Sequence, residues 1–218
     1  MNAPALVQGI RDDLAAIEKR LRTHPYVAAV QQGRAGLDEM RPFAAEQWNI
    51  IRSDLRSVAN LAGRTGLPFF LGVLDGERAA LAAIIDFAHA LGMDQSDLGD
   101  YEPLPGAHAY AAYMAWLGAY GSPAEVAAAY LVNFPAWGEN CGRLAAALRE
   151  RHGLSDQAVR FFDLFAEEDL EFEPNALALI QGGLDSGVAP AAIARAARLL
   201  QGYEVLFWDT LAGQLPDR

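Results

Sequence analysis

Apolar residues recur at three-and-four spacing through nearly the whole chain, the pattern of helices that bury one face. Residues 4–23 predict a first helix with Leu6, Ile10, Leu14, Ile17 and Leu21 on one side, closed by His24-Pro25. A short helix from Tyr26 to about Gln32 follows, then a turn over Gly33 to Gly36 and a long helix from Leu37 to Arg64, with Pro42 in its opening turns. Residues 69–91 form the next helix, the acidic Met93–Pro105 stretch a surface loop, and Gly106–Tyr120 another helix. Ser122-Pro123-Ala124-Glu125 is a capping box with proline at the first helical position, and opens a helix reaching about Arg151 with a kink at Pro135.

The segment Asp156–Phe172 reads as one helix with the stripe Ala158, Phe161, Phe162, Phe165 and Phe172, and Asp169 falls on that stripe. Glu173-Pro174 predicts a break before a short helix at 175–184. A last helix runs from Pro190 to about Ala212. No alternating strand pattern of useful length competes, so the chain reads as all-α, a single domain over 1–218 with about eight antiparallel helices in a bundle.

Composition narrows the partners. With 218 residues, 52% of them hydrophobic, the chain supports one well-buried core. A net charge of −11 repels phosphate backbones and anionic membrane surfaces, which argues against nucleic acid and membrane partners. Cys141 is the single cysteine, so no internal disulfide is possible, and the charged N-terminal residues do not make a secretory signal; both fit a cytoplasmic protein. The uncharged Leu104–Ala124 stretch has the length of a membrane span, but Gly106, Gly118, Gly121 and Pro123 interrupt it, and a buried helix is the better reading.

Three acids lie on predicted apolar stripes. Glu46 falls between Phe43 and Ile50, Asp169 among phenylalanines, and Glu204 between Leu200 and Phe207. A carboxylate in such surroundings needs a partner or a raised pKa. Together with His108, Tyr110 and Tyr113 they predict one internal pocket, though each alone fits a satisfied buried ion pair equally well. Cys141 shares a stripe with Phe134, Trp137, Leu144 and Leu148 and reads as a small interior hydrophobe. Glu-x-x-His metal pairs, serine-hydrolase elbows, phosphate loops and dinucleotide fingerprints are missing.

The helix order resembles the TenA and PqqC branch of the haem-oxygenase-like superfamily. His24-Pro25-Tyr26 before a short helix, Leu37–Phe43, Pro105 with Ala109-Tyr110 and Tyr113-Met114, and Tyr203-Glu204-Val205-Leu206-Phe207-Trp208 carry the likeness. The resemblance implies a haem-oxygenase-like helical bundle with a central pocket, assembled as a homodimer or homotetramer. TenA proteins are thiaminase II enzymes that hydrolyse aminopyrimidines in thiamin salvage, and Glu204 matches their catalytic glutamate and Tyr110 a pocket tyrosine.

Other family positions differ. The nucleophilic cysteine should fall near Asn133 and Phe134, the long-helix aspartate near Ile50, and a further tyrosine near Phe165. In a metal-dependent branch, histidines stand where this chain has Phe165 and Phe172 or Glu173, and phenylalanine cannot ligate a metal. The expectation is therefore a small-molecule ligand without metal or cofactor, an amine-bearing heterocycle in an acidic, aromatic-lined pocket. Glu204 and Asp169 are its expected catalytic acids, and Glu46, Tyr110, Tyr113, Trp137 and Phe165 its expected ligand contacts. A non-catalytic ligand-binding or interaction protein, and an iron-dependent oxidase, are the alternatives.

Overall fold

A computed structural model describes residues 2–216. Among the described residues there are eleven helices and no strand: α1 (Ala3–Asp13), α2 (Ala15–Arg22), α3 (Pro25–Gln31), α4 (Leu37–Thr65), α5 (Pro68–Ala90), α6 (Gln95–Asp100), α7 (Pro105–Tyr120), α8 (Pro123–His152), α9 (Asp156–Ala166), α10 (Phe172–Asp185) and α11 (Pro190–Ala212). Six of them close a ring. α4 packs on α5, α5 on α9, α9 on α8, α8 on α11, α11 on α7, and α7 returns to α4. Helices α1, α2, α3 and α10 pack against the outside of α8 and α11. No described helix is long and apolar enough to cross a membrane.

The helix ends follow local chemistry. The Ser122 hydroxyl accepts from the backbone N–H of Glu125 and the Glu125 carboxylate accepts from that of Ser122, so two donors that the first turn leaves free are satisfied together. Gly66 and Gly153 end α4 and α8 with φ of 67° and 66°, a left-handed conformation that glycine adopts without strain. His24 caps α3 through Nδ1, which accepts from Tyr26 N–H. Its Nε2 meets Asp209 at 3.1 Å and ties α3 to α11.

α8 continues through Pro135, which faces solvent, to His152. Three boundaries differ from the sequence reading. The first helix breaks at Leu14, whose ψ of 3° leaves the helical range. The acidic loop contains α6, because Asp94 accepts from the N–H groups of Ser96 and Asp97 and opens a turn. The third difference has the largest consequence. α9 stops at Ala166 and α10 begins at Phe172, with Pro174 in the first turn, where its missing N–H costs nothing.

At the centre of the ring the rings of Tyr26, Phe87, Trp137, Phe161, Phe162, Phe207 and Trp208 surround Phe43, with centroids 5.3 to 6.5 Å from it. Those seven rings come from α3, α5, α8, α9 and α11, so one α4 side chain fixes the spacing of most of the bundle. Close approaches elsewhere need a missing side chain. A Cβ on Gly118 of α7 would lie 2.9 Å from the Ser57 carbonyl oxygen of α4. Phe43→Ala is expected to destabilise by about 3–5 kcal/mol, the range for emptying a fully buried aromatic site, read as a fall in the urea midpoint with an unchanged slope.

Candidate functional site

The helix ring encloses a chamber of about 40 Å³, and every one of its six helices contributes to the wall. α4 supplies Gln47, Ile50, Ile51 and Asp54, α5 Glu77, and α7 Tyr110. α8 supplies Tyr130, Asn133, Phe134 and Trp137, α9 Phe165, and α11 Glu204 and Phe207. By the space a single water requires, that volume holds a few waters, so a ring would need the wall to open further towards the groove. Outside it lies a groove of about 1230 Å³ between α5, α8, α9 and α10. Chamber and groove share Glu77, Phe134 and Phe165, which therefore form the throat between them.

Glu204 sits in this chamber almost fully buried, and the groups bonded to it are neutral. The Trp208 indole N–H donates to Oε1 at 3.1 Å and the Asn133 amide donates to Oε2. A backbone carbonyl sets the orientation of these groups. Gln201 Nε2 donates to the Val132 carbonyl, which can only accept, and also to Glu18 Oε1 at 2.6 Å. Gln201 Oε1 then faces Asn133 Nδ2 at 3.0 Å, and Asn133 Oδ1 is left to accept from the Tyr110 hydroxyl at 3.1 Å. The chain of bonds turns the amide N–H of Asn133 towards the carboxylate and a phenol lone pair towards the chamber. Burial nevertheless pushes Glu204 up to about 8. The Trp208 hydrogen bond opposes the shift, the charge of Glu18 adds to it, and the Asn133 bond opposes it less.

A second acidic pole lies across the chamber. Asp54 is buried, and burial followed by the charge of Glu77 raises its pKa well above the carboxylate range. Glu77 keeps partial exposure on the groove side, but its carboxyl is desolvated enough to be pushed up to about 8.

Of the residues expected from sequence, Glu204, Tyr110, Trp137 and Phe165 do line the chamber. Glu46 does not. It is fully buried beside the α6–α7 connection, where Oε1 accepts from the Tyr101 hydroxyl at 2.9 Å and the Leu104 N–H at 2.7 Å and so holds that connection to α4. Asp169 is exposed in the link between α9 and α10, on the groove rim, with Oδ1 accepting from Glu171 N–H. The early end of α9 removes it from the phenylalanine stripe. Tyr113 stacks on Trp116 and Tyr203 at the outer α7–α11 surface, and His108 is exposed. Cys141 is buried outside the chamber wall, and burial raises its thiol pKa well above the ordinary value, an inert setting.

Asp54, Glu77, Tyr130 and Asn133 were not anticipated, yet each had a signal. Phe43, Gln47, Ile50, Asp54, Val58 and Leu61 follow the helical period more closely than a stripe through Glu46, and Glu77 interrupts Leu74, Leu81 and Ile84 at the same spacing. Among the described residues, no three of His, Cys, Asp and Glu are arranged to hold a metal ion.

The bundle and its enclosed chamber define an all-α protein of the haem-oxygenase-like class. Residues 11–214 match the TENA/THI-4/PQQC family, and the chain belongs to that family. A TenA homolog from Pseudomonas syringae pv. tomato is similar over 98% of this chain and 96% of its own, at 16% identity and a TM-score of 0.82. A domain of unknown function with a heme oxygenase-like fold from Shewanella denitrificans aligns over 98% and 93%, at 16% identity and a TM-score of 0.76. A putative TenA-like thiaminase from Sulfolobus solfataricus aligns over 96% and 98%, at 12% identity and a TM-score of 0.66. At these identities the likeness is one of fold. A comparison with curated proteins gives no significant match.

A carboxyl whose folded-state pKa is raised keeps its proton in the native state after the unfolded chain has lost it. The stability it contributes is complete below the unfolded value near 4.5 and is lost as pH rises towards about 8. Glu204→Gln removes this contribution. Urea unfolding of the variant is expected to lose less stability between pH 5 and pH 8 than the parent protein does, and equal losses would contradict the placement of Glu204.

Proposed function

We propose that this TenA-family protein binds a small amine-bearing heterocycle of the aminopyrimidine type in its chamber and hydrolyses it, a role in thiamin metabolism. The observation that carries the reading is Glu204, a buried acid held by Trp208 and Asn133 inside a wall of aromatic rings. Trp137, Phe165 and Phe207 offer faces and edges to a flat ring, with Trp137 and Phe165 meeting edge to face at 5.8 Å. A carboxyl pushed up to about 8 carries its proton at neutral pH and can give it up, the property required of a general acid.

With no thiol in the chamber wall, water is the nucleophile. The water oxygen bonds to the substrate carbon as the carbon–nitrogen bond breaks. Glu204 protonates the departing nitrogen, and its carboxylate then takes the proton that the water loses. Tyr110, fixed as a donor to Asn133, has a lone pair free for a ligand N–H. That same missing thiol favours a second reading, a member that binds the ring without turning it over. On the groove rim Glu139, Glu167 and Glu173 pair with Arg22, Arg160 and Arg11, while Glu168, Asp169 and Glu171 have no arginine partner among the described residues and would draw a cationic ligand in either case.

The family reading brings with it a cytoplasmic location and a homodimer or homotetramer. The ladder Tyr203, Tyr113, Trp116 and Tyr120, with centroids 5.1 to 5.9 Å apart, half-buried at its first two rings and exposed at its last two, supplies an apolar face for such an assembly. Light scattering should find an oligomer that Trp116→Glu shifts to monomer, and a monomeric parent protein ends this part of the reading.

A thermal-shift titration with 4-aminopyrimidines should raise the melting temperature. Glu204→Gln should lower ammonia or amine release by about 10²–10⁴-fold, the usual contribution of one general acid. Stabilisation without release selects the binding-only reading, and unchanged turnover in the variant removes Glu204 from the mechanism.

A further inference from the structure

The hydrogen-bond path behind Glu204 leaves no amide hydrogen unused and ends on a second acid. Asn133 Nδ2 donates to Glu204 Oε2 and to Gln201 Oε1, and Gln201 Nε2 donates to the Val132 carbonyl and to Glu18 Oε1. Gln201 and Asn133 expose 0% and 2% of their surface, so a partner lost at either leaves a buried donor unpaired. Glu18 belongs to α2, outside the ring of six helices, and its side chain is 17% exposed. Its Oε2 accepts from Arg22 Nε at 3.3 Å, and Arg22 also pairs with Glu139 of α8. Two amide side chains therefore join the chamber's acid to a charged cluster that reaches the surface.

We propose that Glu18 is a positioning residue for Glu204, acting through Gln201 and Asn133 to fix the donor on that carboxyl and to keep a second negative charge behind it. The inference deepens the reading of Glu204 as the acid of the chamber and rests on it. Two carboxyls that sense one another lose their protons in sequence. Burial raises the pKa of Glu18, but the charge and hydrogen bond of Arg22, then the charge of Arg11 and the bond from Gln201, oppose that rise. Neither partner of Glu204 is charged, and burial pushes it up to about 8 with the charge of Glu18 adding to the shift. Glu18 is thus the first of the two to ionise as pH rises, and its charge holds the proton on Glu204 to higher pH. Facing Glu18 are Arg22 of its own helix, Arg11 of α1, Glu139 of α8 through Arg22, and Gln201 and Glu204 of α11. Asp54, Glu77, Tyr110 and Tyr130 share the chamber with Glu204, and His24, bonded to Asp209, has its ring 6.2 Å from that of Trp208.

The Trp208 indole N–H donates to Glu204 Oε1, so its resonance in proton–nitrogen NMR spectra of the full chain reports the ionisation of Glu204 without any substrate. In the parent protein the resonance should titrate with a midpoint of about 8, and the step should vanish in Glu204→Gln. A step that survives in that variant belongs to His24. Glu18→Gln keeps an acceptor for Gln201 and removes only the charge. It should lower the Glu204 midpoint by about half to one unit, the effect of one charge acting across a partly desolvated path. A general acid works in its protonated form, so any amine release should also fall off at a pH lower by the same amount. Glu18→Leu removes the acceptor as well; it should shift the midpoint as far and also lower the melting temperature, because a buried N–H of Gln201 loses its partner. An unchanged midpoint in Glu18→Gln overturns the proposal and leaves the chamber reading standing, and a parent protein without the Glu204 step overturns it too. A lowered midpoint in a protein that releases no amine supports the role of Glu18 and ends the hydrolysis reading.

Discussion

A carboxylate inside an aromatic core can be stabilised only by the dipoles aimed at it, and in this protein one backbone carbonyl decides how those dipoles point. Val132 accepts from Gln201, Gln201 accepts from Asn133, and Asn133 donates to Glu204. Reversing either amide would place oxygen against oxygen in a region without water, a loss larger than any single bond in the network. The network therefore fixes α8 against α11, and through Glu18 it reaches α2. Neither donor on Glu204 itself carries a positive charge. The donors reduce the cost of burying Glu204 without removing it, which is why burial outweighs them and the group titrates near neutrality.

The aromatic cluster around Phe43 supplies the complementary constraint. Rings packed at 5 to 6 Å in both stacked and edge-on arrangements resist collapse into a neighbouring space, so the chamber beside them keeps its volume. Trp137, Phe207 and Trp208 belong to both systems. The first two line the chamber and pack on Phe43, and the third packs on Phe43 while donating to Glu204. Stability and site geometry are thus carried by the same side chains, which leaves the throat residues Glu77, Phe134 and Phe165, all only partly buried, as the part of the wall with most freedom to move.

The helical architecture was legible because three-and-four periodicity and capping chemistry are local. Ser122-Pro123-Ala124-Glu125 opened α8 where expected, and Glu204 with Trp208 one turn later already described an acid next to a donor on a single face. The site was legible only where the stripe was unambiguous. On α4, Glu46 and Asp54 are both compatible with a face through Ile50, and which one is buried towards the chamber depends on where α5 and α7 pack, a tertiary fact. Asp169 was misplaced because nothing local to Phe161–Phe172 signals the end of α9. The chain turns there because Asp169 and Glu171 form their own turn and Phe172 packs on Phe69 and Phe134 as part of the next helix.

Asn133 lies close to where the family resemblance places a cysteine nucleophile, and the exchange changes the kind of chemistry the chamber can support. An amide forms no covalent intermediate, but it donates hydrogen bonds in a fixed direction, which a thiol does poorly. With Asn133 in place, the titratable acids of the chamber are Glu204 on α11 and Asp54 and Glu77 on α4 and α5, all raised above the ordinary carboxylate range by burial. All three are acids made reluctant to ionise by burial, so each can donate a proton to a basic nitrogen or surrender one when a cation arrives. Ionising any of them becomes easier when a positive charge is near and harder when a negative one is.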